Sequence, residues 1–130
     1  MRGFLDECNQ PRIQITVEGY RTKRTIDAVI DTGFDGYICL PISIAIELGL
    51  ELCGYQTTEL ADGSLQTDLV FIGRAALGNL PVADAKVLLT ESEDALLGVA
   101  MLLDYKLEVD FAKQIVKVER SVTQEIDSTG

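Results

Sequence analysis

An apolar stretch that ends in a carboxylate constrains this chain more than any other feature. Residues 28–33 are AVIDTG, so a run suited to a buried strand passes directly into Asp31, Thr32 and Gly33. A buried carboxylate is costly unless it has partners, whereas a rigid strand followed by a tight turn can hold one at the edge of a core. Asp and Thr also stabilise turns that have no function. The segment therefore predicts either a mounted reactive group or a simple turn.

The chain contains no histidine among its 130 residues. This excludes Ser-His and Cys-His nucleophilic pairs and His-ligated zinc, and the glycine-rich phosphate-binding motifs are missing as well. If the protein is an enzyme, carboxylates are the abundant reactive groups. The net charge of −10 opposes binding to nucleic acids and to anionic membrane surfaces. We expect no metal, no cofactor, no nucleic acid partner and no membrane partner.

Cysteine number and the apolar runs indicate the compartment. Cys8, Cys39 and Cys53 are odd in number and lack metal-type spacing, which favours free, packed thiols in a reducing environment over disulfides. Residues 1–11 contain no apolar core of a secretory signal, and the longest apolar run, 95–103, is too short to span a bilayer. We therefore expect a cytoplasmic protein.

Strand-type patterns cover most of the chain. Ile13, Ile15 and Val17 alternate with polar residues, which is the two-residue period of a half-buried strand. Pro41 suits the first position of a helix that ends near Gly49. A second short helix is expected within residues 95–103. Further strands are predicted over residues 25–31, 37–40, 53–60, 65–72 and 80–90, with a terminal hairpin over 106–119.

These patterns predict one all-β domain over residues 1–120, closed or nearly closed, with one or two short helices. Residues 121–130 are polar and weakly patterned, which predicts a frayed tail. A weak internal echo is also present, because DAVIDTG (27–33) and DALLG (94–98) each place an apolar pair before a loop glycine.

The chemistry of Asp31 depends on a second carboxyl group. A single exposed aspartate is a poor base at neutral pH. Two carboxyl groups about 3 Å apart share one proton, so that one acts as a base toward water while the other acts as an acid toward a carbonyl. Such a pair needs a rigid mount, and an apolar strand followed by Thr32 and Gly33 supplies its parts.

With these neighbours the chain resembles the retropepsin-like (clan AA) aspartic proteases, and most closely their small prokaryotic single-domain members. The apolar-apolar-Asp-Thr-Gly segment matches the catalytic loop of that family, and Asp35 matches an aspartate that binds substrate backbone. ELADGSL (59–65) lies where the family has its flap, and ALLGVAMLL (95–103) resembles its later apolar-apolar-Gly element. The resemblance covers about residues 12–119.

The resemblance implies a closed acid-protease barrel with one lobe per chain and a peptide or protein substrate. It also implies a homodimer, because each chain offers one such aspartate and the C-terminal DSTG (127–130) follows no apolar strand. The implied catalytic residues are Asp31, Thr32 and Gly33, and the implied substrate-binding residues are Phe34, Asp35, Asp62, Gly63 and Ser64.

Two departures leave a second hypothesis open. Phe34 stands where the family usually has Ala or Ser, which predicts a narrower pocket, and the flap tip has one glycine, Gly63. The chain is therefore either an aspartic endopeptidase or a weakly active or inactive peptide-binding or assembly module of the same fold. For Asp35 the alternatives are binding of substrate and a salt bridge that stabilises the turn. Asp62 and Ser64 contact a ligand or simply shape the hairpin.

Overall fold

The computed structural model describes residues 1–121, which form ten strands, one α-helix and one turn of 3₁₀-helix. The strands are β1 (Arg2–Leu5), β2 (Pro11–Glu18), β3 (Lys23–Ile30), β4 (Ile38–Pro41), β5 (Glu51–Glu59), β6 (Leu65–Leu77), β7 (Ala83–Thr90), β8 (Leu96–Leu97), β9 (Tyr105–Asp110) and β10 (Ile115–Arg120). The helix α1 spans Ile42–Leu48, and the 3₁₀ turn spans Val99–Met101. Neither helical segment is long and apolar enough to cross a membrane.

The alternation at the start of the chain forms a strand, as predicted. Ile13, Ile15 and Val17 on β2 are fully buried, and the polar residues between them lie on the opposite face. The turn after β2 is closed by a hydrogen bond from the Gly19 N–H to the Thr22 carbonyl oxygen, 3.0 Å. β3 then returns antiparallel to β2. The first hairpin therefore places β3, which leads to Asp31, against the core.

Six strands close into a ring around that core. Neighbouring strands follow the order β6-β7-β4-β8-β3-β2, and a further antiparallel ladder between β2 and β6 joins the two ends. Each ladder of β8 contains only two residue pairs, so the arrangement is a ring of strands and not a regular barrel. The all-β class with short helices is thus confirmed, and the predicted closure takes the form of this ring of strands.

The helix boundaries differ slightly from the prediction. Pro41 precedes the first helical residue as the N-cap and has an extended ψ of 142°, so it lies one position earlier than predicted. Gly49 ends the helix in the left-handed conformation, φ 72°, and its N–H bonds to the carbonyl oxygens of Ala45 and Ile46. The predicted second helix is only the three-residue 3₁₀ turn that follows β8.

A smaller sheet of three strands, in the order β1-β10-β9, lies beside the ring. The sequence predicted the β9–β10 hairpin but not β1, which pairs with β10 on one side and with β2 on the other. The last strand ends at Arg120. The predicted frayed tail covers residues 121–130, and all of it except Ser121 lies outside the described residues.

Arg12, near the start of β2, connects this strand to residues in two loops. Its Nε donates to Asp6 Oδ2 at 2.7 Å, and its Nη2 donates to Asp94 Oδ1 at 3.0 Å. Its Nη1 reaches the Asp27 carbonyl oxygen at 3.3 Å. The hydrogen bond from Arg12 is the main reason that the pKa of Asp6 lies below its usual value of 3.8. One guanidinium therefore holds the β1–β2 loop, β3 and the segment before β8 together.

We expect Asp6→Asn to destabilise the protein more at neutral pH than in acid. Because the folded state depresses the pKa of Asp6, this carboxylate stabilises the fold above its unfolded pKa, and the stabilisation disappears as pH falls through the folded pKa. Urea unfolding at pH 7 and pH 3 should show a smaller deficit at pH 3 than at pH 7. Glu7→Gln removes the same charge from the neighbouring exposed residue and is the control. An equal deficit at both pH values would contradict the ion-pair assignment.

Candidate functional site

Asp31 follows the last residue of β3, and main-chain hydrogen bonds fix it on both sides. Its N–H donates to the Leu97 carbonyl oxygen at 2.9 Å, and its carbonyl oxygen accepts from the Phe34 N–H at 3.1 Å. Its side-chain Oδ1 accepts from the Gly33 N–H at 2.9 Å. The half-buried carboxylate is thus oriented by its own turn.

The internal echo in the sequence corresponds to two neighbouring parallel strands. β3 pairs with β8 so that Val29 lies beside Leu96 and Ile30 beside Leu97, which is the alignment of DAVID with DALLG. In this alignment Gly98 occupies the position of Asp31. Each segment leaves the core at the same level, and only the first has a carboxylate at this position.

Two loops are joined immediately beyond these strands. The Gly98 N–H donates to the Tyr37 carbonyl oxygen at 2.8 Å, and the Val99 N–H donates to the Phe34 carbonyl oxygen at 2.9 Å. The Ala100 N–H donates to the Gly36 carbonyl oxygen at 3.0 Å. The loop that carries Asp31 is therefore supported along its length by residues about 65 positions later in the chain.

Phe34 packs within this pair of loops. Its half-buried ring lies so close to Gly36 and Gly98 that a Cβ atom on either glycine would be 2.7 Å from a ring carbon. A Cβ on Gly98 would also overlap the Gly36 carbonyl oxygen. The ring thus occupies space left by two glycines. That Phe34 also contacts substrate stays a prediction.

The other predicted residues of this loop are exposed. Thr32 borders a groove of about 500 Å³ next to Asp31, and Gly33 forms the turn. The Asp35 carboxylate is exposed and has no ion-pair partner within 4 Å among residues 1–121. The proposed turn-stabilising salt bridge of Asp35 is therefore not present in the described part of the chain.

The groove beside Asp31 includes residues that the sequence did not assign to the site. Pro11 and Leu96 form part of its wall, and Leu107, Val109 and Phe111 form another part. The alternation of Leu107 and Val109 with charged residues predicted a strand but not its neighbour. Only the packing of β9 against the core shows that this apolar surface adjoins Asp31.

The predicted flap is a projecting hairpin. The β6–β7 ladder ends at Phe71, so the preceding residues of β6 pair only with β5 among the described strands. At its tip, Asp62 Oδ1 accepts from the Ser64 N–H at 2.9 Å and from the Ser64 hydroxyl at 2.6 Å, and these bonds lower the pKa of Asp62. Gly63 has φ 88°, which favours glycine.

Asp62 and Ser64 are therefore hydrogen-bonded to each other, which is the arrangement expected if these residues simply shape the hairpin. Between the tip and the Asp31 loop, the described residues form no hydrogen bond and no ion pair. The structure brings Asp31, Thr32, Gly33, Phe34 and Asp35 together in one loop, and Asp62, Gly63 and Ser64 in another.

The three cysteines are free thiols in different environments. Cys8 and Cys53 are exposed, so the expectation that all three pack in the interior is wrong for these two. Cys39 on β4 is half-buried, and burial raises the pKa of its thiol, with a smaller contribution from the Asp68 carboxylate.

We expect Gly98→Ala to disrupt the loop pair. The added methyl would overlap the Gly36 carbonyl and press on the Phe34 ring, which should cost about 1–3 kcal/mol or more. Gly54→Ala is the matched control, since a Cβ there has no atom within 4 Å and should change stability by no more than about 0.5 kcal/mol. Chemical denaturation of both variants would test this, and equal stability would refute the close approach.

Comparison with known proteins agrees with this architecture. A family model described as aspartyl protease matches residues 13–101. The solution structure of a simian foamy virus protease is 16% identical with a TM-score of 0.54, and the match covers 71% of this chain and 91% of that one. The crystal structure of a retropepsin-like aspartic protease from Rickettsia conorii is 19% identical with a TM-score of 0.60, covering 89% and 87%. At these identities the structural likeness establishes the fold alone. No curated protein sequence matches the chain.

Proposed function

This chain belongs to the aspartyl protease family, and we propose that it is an aspartic endopeptidase whose active site forms across a homodimer. Each subunit contributes one Asp31, and the two carboxyl groups share a proton. The observation that carries this proposal is the set of hydrogen bonds that holds Asp31. Its N–H donates to a carbonyl oxygen of β8, and its Oδ1 accepts from the Gly33 N–H. Such support holds a carboxylate in place for a reaction.

The proposed reaction uses the pair as base and acid together. The ionised Asp31 removes a proton from a water molecule, and the water oxygen bonds to the carbonyl carbon of the peptide. The protonated Asp31 of the partner subunit gives its proton to the carbonyl oxygen, so a tetrahedral diol forms. The Asp31 that took the proton from water then passes it to the amide nitrogen. The C–N bond breaks as the carbonyl re-forms, and a hydroxyl proton of the diol returns to the other Asp31. Thr32, adjacent and exposed, would brace the two loops against each other.

Substrate binding is proposed for the exposed groups around the dyad. Asp35 has a carboxylate free of ion pairs among residues 1–121, so it is available to accept hydrogen bonds from a peptide backbone. Gly33 and Phe34, which belong to the same loop, would also contact the substrate. The hairpin turn of Asp62, Gly63 and Ser64 would close over an extended peptide or protein segment.

A peptide-binding module without turnover is the second candidate. It was favoured by Phe34, whose bulk predicted a narrow pocket. Because the ring lies against Gly36 and Gly98, part of its volume is accommodated inside the loop pair. The expectation of a narrow pocket, and with it the case for a module without turnover, is therefore weaker. Peptide binding without cleavage by the unmodified dimer would favour the module.

We expect Asp31→Asn to abolish cleavage while preserving the fold and the dimer. The substitution keeps the size of the side chain but removes the shared proton, so the rate should fall about 10²–10⁴-fold or more. Asp84→Asn, at an exposed position on β7, should retain full activity. Peptide cleavage, circular dichroism and sedimentation of both variants would test this. Undiminished cleavage by Asp31→Asn would assign the activity to other residues.

We expect the rate to pass through a maximum with pH and to resist chelators and thiol reagents. The dyad works with one proton, so both full protonation and full ionisation stop the reaction, and the two limbs belong to the pair. The absence of histidine leaves no His-ligated zinc site. Rates measured from acidic to neutral pH, with and without EDTA or a thiol reagent, would test all three points. Activity lost in EDTA and restored by zinc would overturn the metal-free dyad.

A further inference from the structure

Arg12 contacts both segments of the internal echo at corresponding positions. In the alignment of DAVID (27–31) with DALLG (94–98), Asp27 and Asp94 are counterparts, and each is the first residue of its segment. The Arg12 Nη1 donates to the Asp27 carbonyl oxygen at 3.3 Å, and the Nη2 donates to Asp94 Oδ1 at 3.0 Å. One planar guanidinium therefore joins the starting points of the two parallel segments that lead into the candidate site.

The ladder that follows this guanidinium is short. β3 and β8 share only two residue pairs. The Val29 N–H donates to the Ala95 carbonyl oxygen at 2.9 Å. The Asp31 N–H donates to the Leu97 carbonyl oxygen, also at 2.9 Å. Because so few main-chain bonds set the level of β8 relative to β3, contacts at the ends of the ladder decide how firmly it is held. Arg12 supplies the polar contact at the end where both segments begin.

The guanidinium is itself fixed in orientation. The Arg12 side chain is only 18% exposed, and its Nε donates to Asp6 Oδ2 at 2.7 Å. Asp6 is oriented in turn, because its Oδ1 accepts from the N–H groups of Cys8 and Gln10 at 2.8 and 3.0 Å. In the described part of the chain, Asp6 and Asp94 are the carboxylates that form ion pairs with Arg12. Asp6 thus holds one edge of the guanidinium and leaves both Nη atoms for β3 and for the segment before β8.

We propose that Arg12 is a positioning residue for Asp31, which it supports by fixing the level of β8 against β3. Arg12 does not line the groove that contains Asp31, so its effect would pass through Asp94, β8 and the Leu97 carbonyl oxygen. The catalytic part of this inference rests on the proposed function, because it concerns the distance between the two Asp31 carboxyl groups of a dimer. A small displacement of a reacting group is enough to slow a reaction strongly.

The first test is Arg12→Lys, which keeps the positive charge but replaces a fork of donor nitrogens with one ammonium. A lysine cannot hold Asp6, Asp94 and the Asp27 carbonyl oxygen together. At protein concentrations where sedimentation shows a complete dimer, kcat for peptide cleavage should fall about tenfold or more while KM changes little.

Arg24→Lys is the matched control for this test. Arg24 lies near the start of β3, at the other end of that strand from Asp31, and its Nη1 donates to Glu47 Oε1 at 2.6 Å. The same chemical change there should leave kcat at the wild-type value. An equal loss of kcat in both variants would overturn the proposal.

The pH profile separates positioning from a general loss of stability. Two carboxyl groups that share a proton titrate in two steps, and these steps lie further apart the closer the groups are. If Asp31 is held less firmly, the mean distance between the two carboxyl groups increases. The bell of kcat against pH should therefore be narrower for Arg12→Lys, over the pH range in which circular dichroism shows a folded chain. A bell of unchanged width would contradict the positioning role.

A double-mutant cycle tests whether the effect passes through Asp94. Asp94→Asn keeps the size of the side chain but removes its charge, so kcat should fall less than in Arg12→Lys. Because both changes act on one contact, the double variant should be no slower than Arg12→Lys alone. Glu93→Gln removes the same charge from the exposed neighbour of Asp94 and should be without effect. Losses that multiply in the double variant would show that Arg12 acts by another route.

Hydrogen exchange tests the same support without any cleavage. The N–H groups of Val29 and Asp31 bond β3 to β8, so in Arg12→Lys they should exchange about tenfold faster than in the wild type. The Arg21 N–H, which donates to the Leu48 carbonyl oxygen at 2.9 Å, should exchange at the wild-type rate. Unchanged protection of the Asp31 N–H would overturn the proposal.

These experiments separate the positioning role from the proposed function. If the wild type cleaves peptide and Arg12→Lys keeps its kcat and the width of its bell, the positioning role is refuted and the proposed function stands. If the wild type cleaves no peptide or is strictly monomeric, the proposed function is refuted together with the catalytic part of this inference. The exchange of Asp31 then decides whether Arg12 fixes β8 against β3.

Discussion

The parallel pairing of β3 with β8 is the contact on which the rest of the site depends. It contains only two residue pairs, yet it determines where the main chain of Asp31 leaves the core, through the bond to the Leu97 carbonyl oxygen. So short a ladder needs support from its surroundings. Arg12 supplies it on one side through Asp94, and the close contact of Gly98 with the Phe34 loop supplies it on the other.

Local patterns in the sequence predicted the elements whose cause lies within a few residues. The buried face of β2 follows from alternation, and α1 follows from Pro41 and Gly49 at its ends. The β5–β6 hairpin follows from the Asp-Gly turn between two extended runs. The mount of Asp31 was also predictable, because an apolar strand and a Thr-Gly turn are adjacent in the chain.

Features that depend on distant partners could not be predicted in the same way. Arg12 meets Asp94 across 82 positions, and nothing near either residue identifies the other. β1 has few residues and becomes a strand only because β10 and β2 lie on its two sides. The part of the groove wall formed by β9 could not be predicted for the same reason. The apolar alternation of β9 was visible, but the residues that face it across the groove come from distant parts of the chain.

The internal echo explains why the proposed chemistry needs a second chain. β3 and β8 leave the core side by side, and a symmetric pair of carboxyl groups built on these two strands would require an aspartate at Gly98, the counterpart of Asp31. That position cannot accept even a Cβ atom without displacing the Gly36 carbonyl and the Phe34 ring. The packing that holds Asp31 rigidly therefore excludes a second carboxylate from the corresponding position in the same chain. In the proposed dimer the second carboxyl group would come from a partner molecule that approaches along the exposed side of the loop, where Thr32 and the groove lie.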